Sequence, residues 1–344
     1  ASGNTAMGES ALTANTTAVG NTAVGANSLG SNTTGGTNTA VGKLALGANT
    51  TASENVAMGT EAMQNTTTGA SNVAIGYRAF RTSTTGTQNV AIGLNALTAN
   101  TSANGNTAVG ATCLDANTTG AANTGIGIGA LTSCTEGDSN AAVGRSALQE
   151  VTTGDKNTAI GNDAGGGITT GSHNVMLGNE TGNSGSPGGL ITTASNTLCV
   201  GANEISVAHV QVDWTVASDK RDKTDVEPVK MGLEFINQLE PVTYRWDKRA
   251  KYIDKLDPTV DLNKVTTDGT HKESWLDVGF LAQDVEELEA QYGYKIENET
   301  NLTTNLSEDG KQYGLTYNKF TPMLVKAIQE LSAKVEELEN KLGE

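Results

Sequence analysis

Two side chains stand at a spacing that could perform chemistry on a peptide bond. They are the Ser218 hydroxyl and the Lys223 amine, in the run Ser218-Asp219-Lys220-Arg221-Asp222-Lys223. A serine hydroxyl is a weak nucleophile at neutral pH and needs a base. Lysine serves as that base once its amine is neutral, which burial or neighbouring cations bring about. Lys220 and Arg221 are such cations. Attack by Ser218 on an adjacent carbonyl would give an ester, which water then hydrolyses. Attack on the Ala217 carbonyl passes through a five-membered ring. Attack on the residue's own carbonyl within one chain needs a strained four-membered ring, a constraint a neighbouring chain avoids. Both sides of Ser218 stay open as the point of scission. On residue types alone the pair means nothing, because charged turns contain such pairs constantly.

Other candidate groups carry less. Cys113, Cys134 and Cys199 show no paired spacing and read as small buried thiols. His173, His209 and His271 are solitary. Glu54, Glu61, Asp115 and Asp138 are scattered, so no carboxylate pair recurs, and solvated faces are expected for them. Gly125-Ile126-Gly127 belongs to a repeat and opens no helix, so it is not read as a phosphate loop. No metal and no cofactor are expected. A net charge of -16 argues against nucleic acid, whose binding rests on basic residues. No apolar run reaches the roughly 18 residues of a membrane span, so no membrane insertion is expected.

The elements that position the pair differ on its two sides. Before it, an asparagine returns every 17 residues, from Asn4, Asn21 and Asn38 through Asn157 to Asn174. A glycine follows four residues later in each unit, as in Asn72-Val73-Ala74-Ile75-Gly76. Further on come a small residue and usually a larger apolar one, as in Ala96-Leu97. A constant period without drift means units stacked in register. β-Branched and turn residues dominate, which predicts a parallel β-roll or β-solenoid with two short strands per coil. Glycine supplies the turns that need positive φ. The asparagines are expected to stack as an amide ladder. Strands about 4.8 Å apart make eleven coils a rod of roughly 50 Å. Small alanines such as Ala23 and Ala40 predict a very narrow interior or a close neighbouring chain, and an oligomer is expected from them. Adjacent threonines raise ice binding, but no Thr-x-Thr row persists. The regularity decays after Asn174, and residues 183–195 read as a loop or cap at the end of the roll, the first place to look for receptor contact.

Residues 205–216 alternate apolar side chains, including Ile205, Val210, Trp214 and Val216, and predict a strand. This gives three segments: a repeat domain at 1–201, a β neck at 202–217 and a C-terminal domain at 218–344. In the last, a helix over 229–239 ends at Pro241, a strand covers 242–246, and a polar insertion covers 252–272. A strand over 275–281 and a helix over 282–292 follow. Tyr244, Trp246, Trp275, Phe280, Tyr313 and Tyr317 are expected in the core. Leu324, Ile328, Leu331, Val335, Leu338 and Leu342 are spaced 4, 3, 4, 3, 4, a heptad seam able to register three chains. The other reading of that seam is an amphipathic helix packed on its own domain.

The unit Asn-x-Ala-(Val/Ile)-Gly with x-x-Ala-Leu resembles the head repeats of trimeric adhesins of the YadA type, though its period is longer. The C-terminal part resembles the intramolecular chaperone domain of phage tail spikes, tail fibres and endosialidases, also called peptidase S74. SDKRDK at 218–223, INQLEPVTYRW at 236–246, GFLAQDVEEL at 279–288 and YGLTYNKFTPMLVKAIQEL at 313–331 stand in that family's order. The resemblance implies Ser218 as nucleophile, Lys223 as its base and Asp219 as a positioning residue. It implies a mainly β homotrimer followed by an α+β chaperone that ends in a coiled-coil helix. The function it implies is a virion tail fibre or spike. Its rod would bind a host cell-surface receptor, a glycan for instance, and its self-cleaving chaperone would be released in the host cytoplasm after assembly. The alternatives are a glycan-degrading tail spike and the head of a trimeric bacterial adhesin.

Overall fold

From the strand Thr5–Met7 to the strand Val175–Leu177, every seventeenth residue returns to the same place in the fold. The computed structural model describes residues 2–183, 186, 188–201, 205, 209–211, 215–253 and 261–343. Twelve three-residue strands, β1 (Thr5–Met7) through β12 (Leu198–Val200), form one parallel sheet in sequential order. Ala23 pairs with Ala40, and Ala40 with Ala57, each one repeat on. The middle residue of the strand faces inward, and Ala23, Ala40, Ala57 and Ala74 are fully buried. Most coils keep an alanine there, packed in one core with a leucine, Met63 or Phe80 from the second half of the coil, while Gly165 and Gly182 leave room for the fully buried Met176 at the same strand position. The third strand position faces outward and is apolar in all twelve strands.

The repeat has one strand per coil and not two. The second half of the coil carries left-handed residues, such as Asn27 (φ 57°) and Leu29 (φ 46°). The Asn27 amide donates to Glu9 O of the coil before at 2.8 Å, and the Leu29 amide to Ala45 O of the coil after at 3.0 Å. Holding an L-residue left-handed costs roughly 1–2 kcal/mol. Fully burying a leucine contributes about 1.5–3 kcal/mol. Leu29, Leu46, Leu97 and Leu148 are fully buried in this conformation, so burial and the inter-coil bonds together outweigh the backbone cost. The glycine after the strand is required. Gly110 has φ 140°, and a Cβ there would lie 2.3 Å from Gly127 O.

The asparagine column is buried from Asn21 to Asn174. Its main partners are backbone groups. The Asn106 amide donates to Asn89 Oδ1 at 2.9 Å, and Asn106 Nδ2 donates to Gly120 O at 2.9 Å. Amide-to-amide contacts, such as Asn38 Nδ2 to Asn21 Oδ1 at 3.2 Å, are the longer ones. A second buried column holds Asn32, Asn49, Asn100 and Asn117, with Thr66, Ser83 and Cys134 at the equivalent places. Beside it runs a threonine column whose hydroxyls donate to the next coil, as from Thr33 to Thr50 O at 3.0 Å and from Thr118 to Thr135 O at 3.0 Å.

The stretch at 183–195 does not cap the roll. It widens one coil, because Val175 pairs with Leu198, 23 residues on, and β12 continues the sheet beyond it. Ser186 and Ile191 are buried within that coil. Of the expected neck strand, much, including Trp214, lies outside the described residues. The described Ile205, Val210 and Val216 are exposed and carry no strand.

Residues 1–204 and 205–344 are two compact units. In the second, α1 (Leu233–Gln238) is followed by β13 (Val242–Tyr244), antiparallel to β14 (Asp277–Gly279). Then come α2 (Ala282–Gln291), the hairpin pair β15 (Thr304–Leu306) and β16 (Tyr313–Leu315), and α3 (Phe320–Leu342). The core is Met231, Phe235, Val285, Leu288, Phe320 and Met323. Trp246, Trp275, Tyr313 and Tyr317 are exposed, contrary to expectation, because this small core is closed by residues from α1, α2 and α3. Gly232 offers no side chain to cap α1, and Glu330 of α3 does so, accepting from the Leu233 amide at 2.8 Å. The insertion has short 3-10 turns at Arg249–Tyr252 and Leu262–Lys264, and residues 254–260 lie outside the described residues. His271 does have a partner: its ring meets Tyr252 edge-on at 4.7 Å.

Candidate functional site

Asp219, next to Ser218, is extended, and a single 3-10 turn, Lys220–Asp222, follows it. Asp219 makes that turn. Its Oδ1 accepts from the Arg221 amide at 2.9 Å, and its carbonyl accepts from the Asp222 amide at 3.2 Å. A short polar side chain before a turn satisfies amides that the turn itself leaves open. The chain therefore reverses over five residues and brings Lys223 back to Ser218. Lys223 Nζ donates to Ser218 Oγ at 2.6 Å.

Arg221 has a different place from the one its sequence position implied. Its guanidinium forms a fork on Asp219, with Nη2 2.6 Å from Oδ2 and Nε 3.1 Å from Oδ1. That contact, with the amide bond beside it, holds the Asp219 carboxyl below its ordinary range. Arg221 is thus spent on Asp219 and is not a free cation beside the lysine. The spacing of two residues between an acid and an arginine was visible in the sequence, but nothing there showed which acid the arginine would choose.

The arrangement suits proton transfer between hydroxyl and amine. In the charged form the ammonium donates to Oγ. In the neutral form the direction reverses, and the hydroxyl donates to the amine. All residues from Ser218 to Lys223 are exposed within one chain. Among the described residues, no group of three or more His, Cys, Asp or Glu side chains could hold a metal ion, and no helix is long and apolar enough to cross a membrane. The three cysteines are buried, and burial pushes the Cys113 and Cys134 thiols up to about 12.

The protein-family comparison matches residues 218–294 to Peptidase S74, described as the chaperone of endosialidase. Those residues are a chaperone-of-endosialidase domain. The match opens on Ser218 itself, the first residue of the turn. It stops short of β15, β16 and α3. Comparisons with curated proteins and with solved structures return no match. The chain thus carries an intramolecular chaperone of the tail-spike type behind a parallel β-solenoid.

Two exposed apolar surfaces accompany the domain. Along the solenoid, the outward strand position leaves Met7, Met58, Ile75, Ile126, Val143 and Ile160 between 37% and 65% exposed. In α3, Phe320, Met323 and Ala327 pack on the unit's own core, while Leu324, Ile328, Leu331, Val335 and Leu338 remain exposed. The heptad seam is therefore a separate face from the one that holds the helix to its domain.

Proposed function

We propose that this chain is part of a phage tail fibre or spike in which a solenoid rod binds the host cell surface. In this reading the C-terminal domain brings three chains together and then cuts itself away at Ser218, with Lys223 as base and Asp219 holding the turn. The observation that carries the cleavage is the 2.6 Å contact between Lys223 Nζ and Ser218 Oγ, at the first residue of the matched domain. The homotrimer is supported by the two exposed apolar surfaces. Twelve outward apolar side chains about 4.8 Å apart make a stripe of roughly 50 Å, more than a soluble monomer ordinarily leaves in water. The seam of α3 adds about three heptads, marginal for one pair of helices and sufficient to set register among chains already close.

The exposure of the turn fits a reaction delayed until assembly. A lysine amine becomes a base when it is desolvated, and a second chain laid over the turn would supply that. The released chaperone would remain in the host cytoplasm while the rod enters the virion. Intact-mass measurement of the wild type and of Ser218→Ala tests the cleavage. The wild type should give two fragments that divide next to residue 218, and Ser218→Ala and Lys223→Ala one uncut species each. A wild type that stays whole after trimer formation, checked by sedimentation, would remove the cleavage from this reading.

A further inference from the structure

The solenoid repeat contains one exposed aromatic residue, Tyr77, and its neighbours are unusual for this rod. Residues 1–201 hold only five lysines and arginines, and Lys43, Arg78 and Arg81 fall within three successive coils. Register places them together. Arg78 stands one repeat beyond Glu61, and its Nε lies 2.7 Å from Glu61 Oε2. Arg81 Nε reaches the same oxygen at 3.3 Å and Gln64 Oε1 at 3.2 Å. The Arg78 guanidinium also lies over the Tyr77 ring, 4.8 Å from its centre. Glu61 thus anchors both arginines through Nε. Among the described residues neither guanidinium bonds through its terminal nitrogens.

We infer that Tyr77, Arg78 and Arg81 form a subsite for a carboxylated sugar of a surface polysaccharide. An arginine held by Nε presents a pre-oriented pair of terminal donors that matches a carboxylate. A tyrosine ring offers a flat apolar face and a polar rim, suited to the C–H face of a pyranose. Three cations against one carboxylate leave this patch positive on an otherwise acidic rod. The column that contains Tyr77 mixes exposed Glu9, Lys43 and Arg145 with exposed Leu94 and Ile128, and it lies past the glycine that follows the strand position assigned to chain association. The inference rests on reading the rod as a surface-binding element, and the test separates the two.

The full chain is passed over immobilised alginate and hyaluronan, which carry uronate carboxylates, and over dextran, which carries none. Retention on at least one carboxylated polymer at low salt is expected, weakened by 0.3 M NaCl, with none on dextran. Tyr77→Ala and Arg81→Gln should each weaken retention about tenfold or more, and Arg81→Lys should restore only part of it. Circular dichroism and sedimentation of each variant should match the wild type. Absence of retention on both carboxylated polymers, equal retention on dextran, or indifference to the three substitutions would overturn the subsite. Dissociation of the assembly by Arg81→Gln would also overturn it, by making the patch a contact between copies. Adsorption of the wild type to a panel of bacterial strains judges the surface-binding reading by itself. Adsorption undiminished in Tyr77→Ala/Arg81→Gln leaves that reading standing and removes the subsite.

Discussion

Replacing Asn106 by alanine should destabilise the middle of the rod by about 2–4 kcal/mol. Asn106 is fully buried, and its side chain serves two coils. Its Oδ1 accepts from the Asn123 amide at 2.9 Å, and its Nδ2 donates to Gly120 O at 2.9 Å. Truncation leaves the Asn123 amide buried without an acceptor, at a cost of about 1–3 kcal/mol. Gly120 O keeps a second donor, Asn117 Nδ2 at 2.8 Å, so its loss is smaller, about 0.5–1 kcal/mol. The cavity left by the amide adds a comparable amount. The same change at Asn4 removes the equivalent bonds, from the Asn21 amide at 2.8 Å and to Ala18 O at 2.8 Å, but should cost less, because Asn4 is only half-buried in the first coil and water can reach the groups it leaves. Guanidinium unfolding followed by circular dichroism, at one fixed protein concentration, measures both. Asn106→Ala within 0.5 kcal/mol of the wild type, or no milder effect at Asn4, would refute the view that buried amides tie coil to coil.

Three further outcomes are expected. Gly110→Ala places a Cβ 2.3 Å from Gly127 O at φ 140°, so it should cost at least about 3 kcal/mol and open a protease-sensitive site in that coil. Glu289→Gln sets an amide nitrogen where the fully buried carboxylate accepts from the amides and hydroxyls of Thr303 and Thr304. It should cost about 2 kcal/mol or more and raise hydrogen exchange across β15. With Cys113 and Cys134 pushed up to about 12, almost no thiolate exists at pH 8, and a disulfide reagent should label neither until the rod is unfolded.

The seventeen-residue period, the parallel register and the buried alanines were legible because one spacing recurs without slip. The left-handed turns were not. Leucine rarely takes that conformation, so a second strand per coil was expected in their place, and only burial of residues such as Leu29 and Leu46 in a stacked coil makes the cost bearable. The second polar column escaped because Thr66, Ser83 and Cys134 interrupt its asparagines, while the fold treats all of them as the same small inward position. The contact between Ser218 and Lys223 was suggested by the family resemblance and not by spacing, which any charged turn supplies. The fork of Arg221 on Asp219 was not, since either neighbouring acid satisfies the same pattern. Trp246, Trp275, Tyr313 and Tyr317 were misplaced because hydrophobicity alone does not say which aromatic side chains a small core has room to enclose.

A rod in which each turn meets only the turns beside it can change length by recombination. Removing or duplicating one block of seventeen codons returns every asparagine, glycine and leucine to an equivalent neighbour. A gain or loss of sixteen or eighteen would displace all of them at once. The length of the solenoid can thus drift in steps of about 4.8 Å without redesign of either end. The widened turn before β12 marks one place where extra sequence has been taken in without breaking the stack.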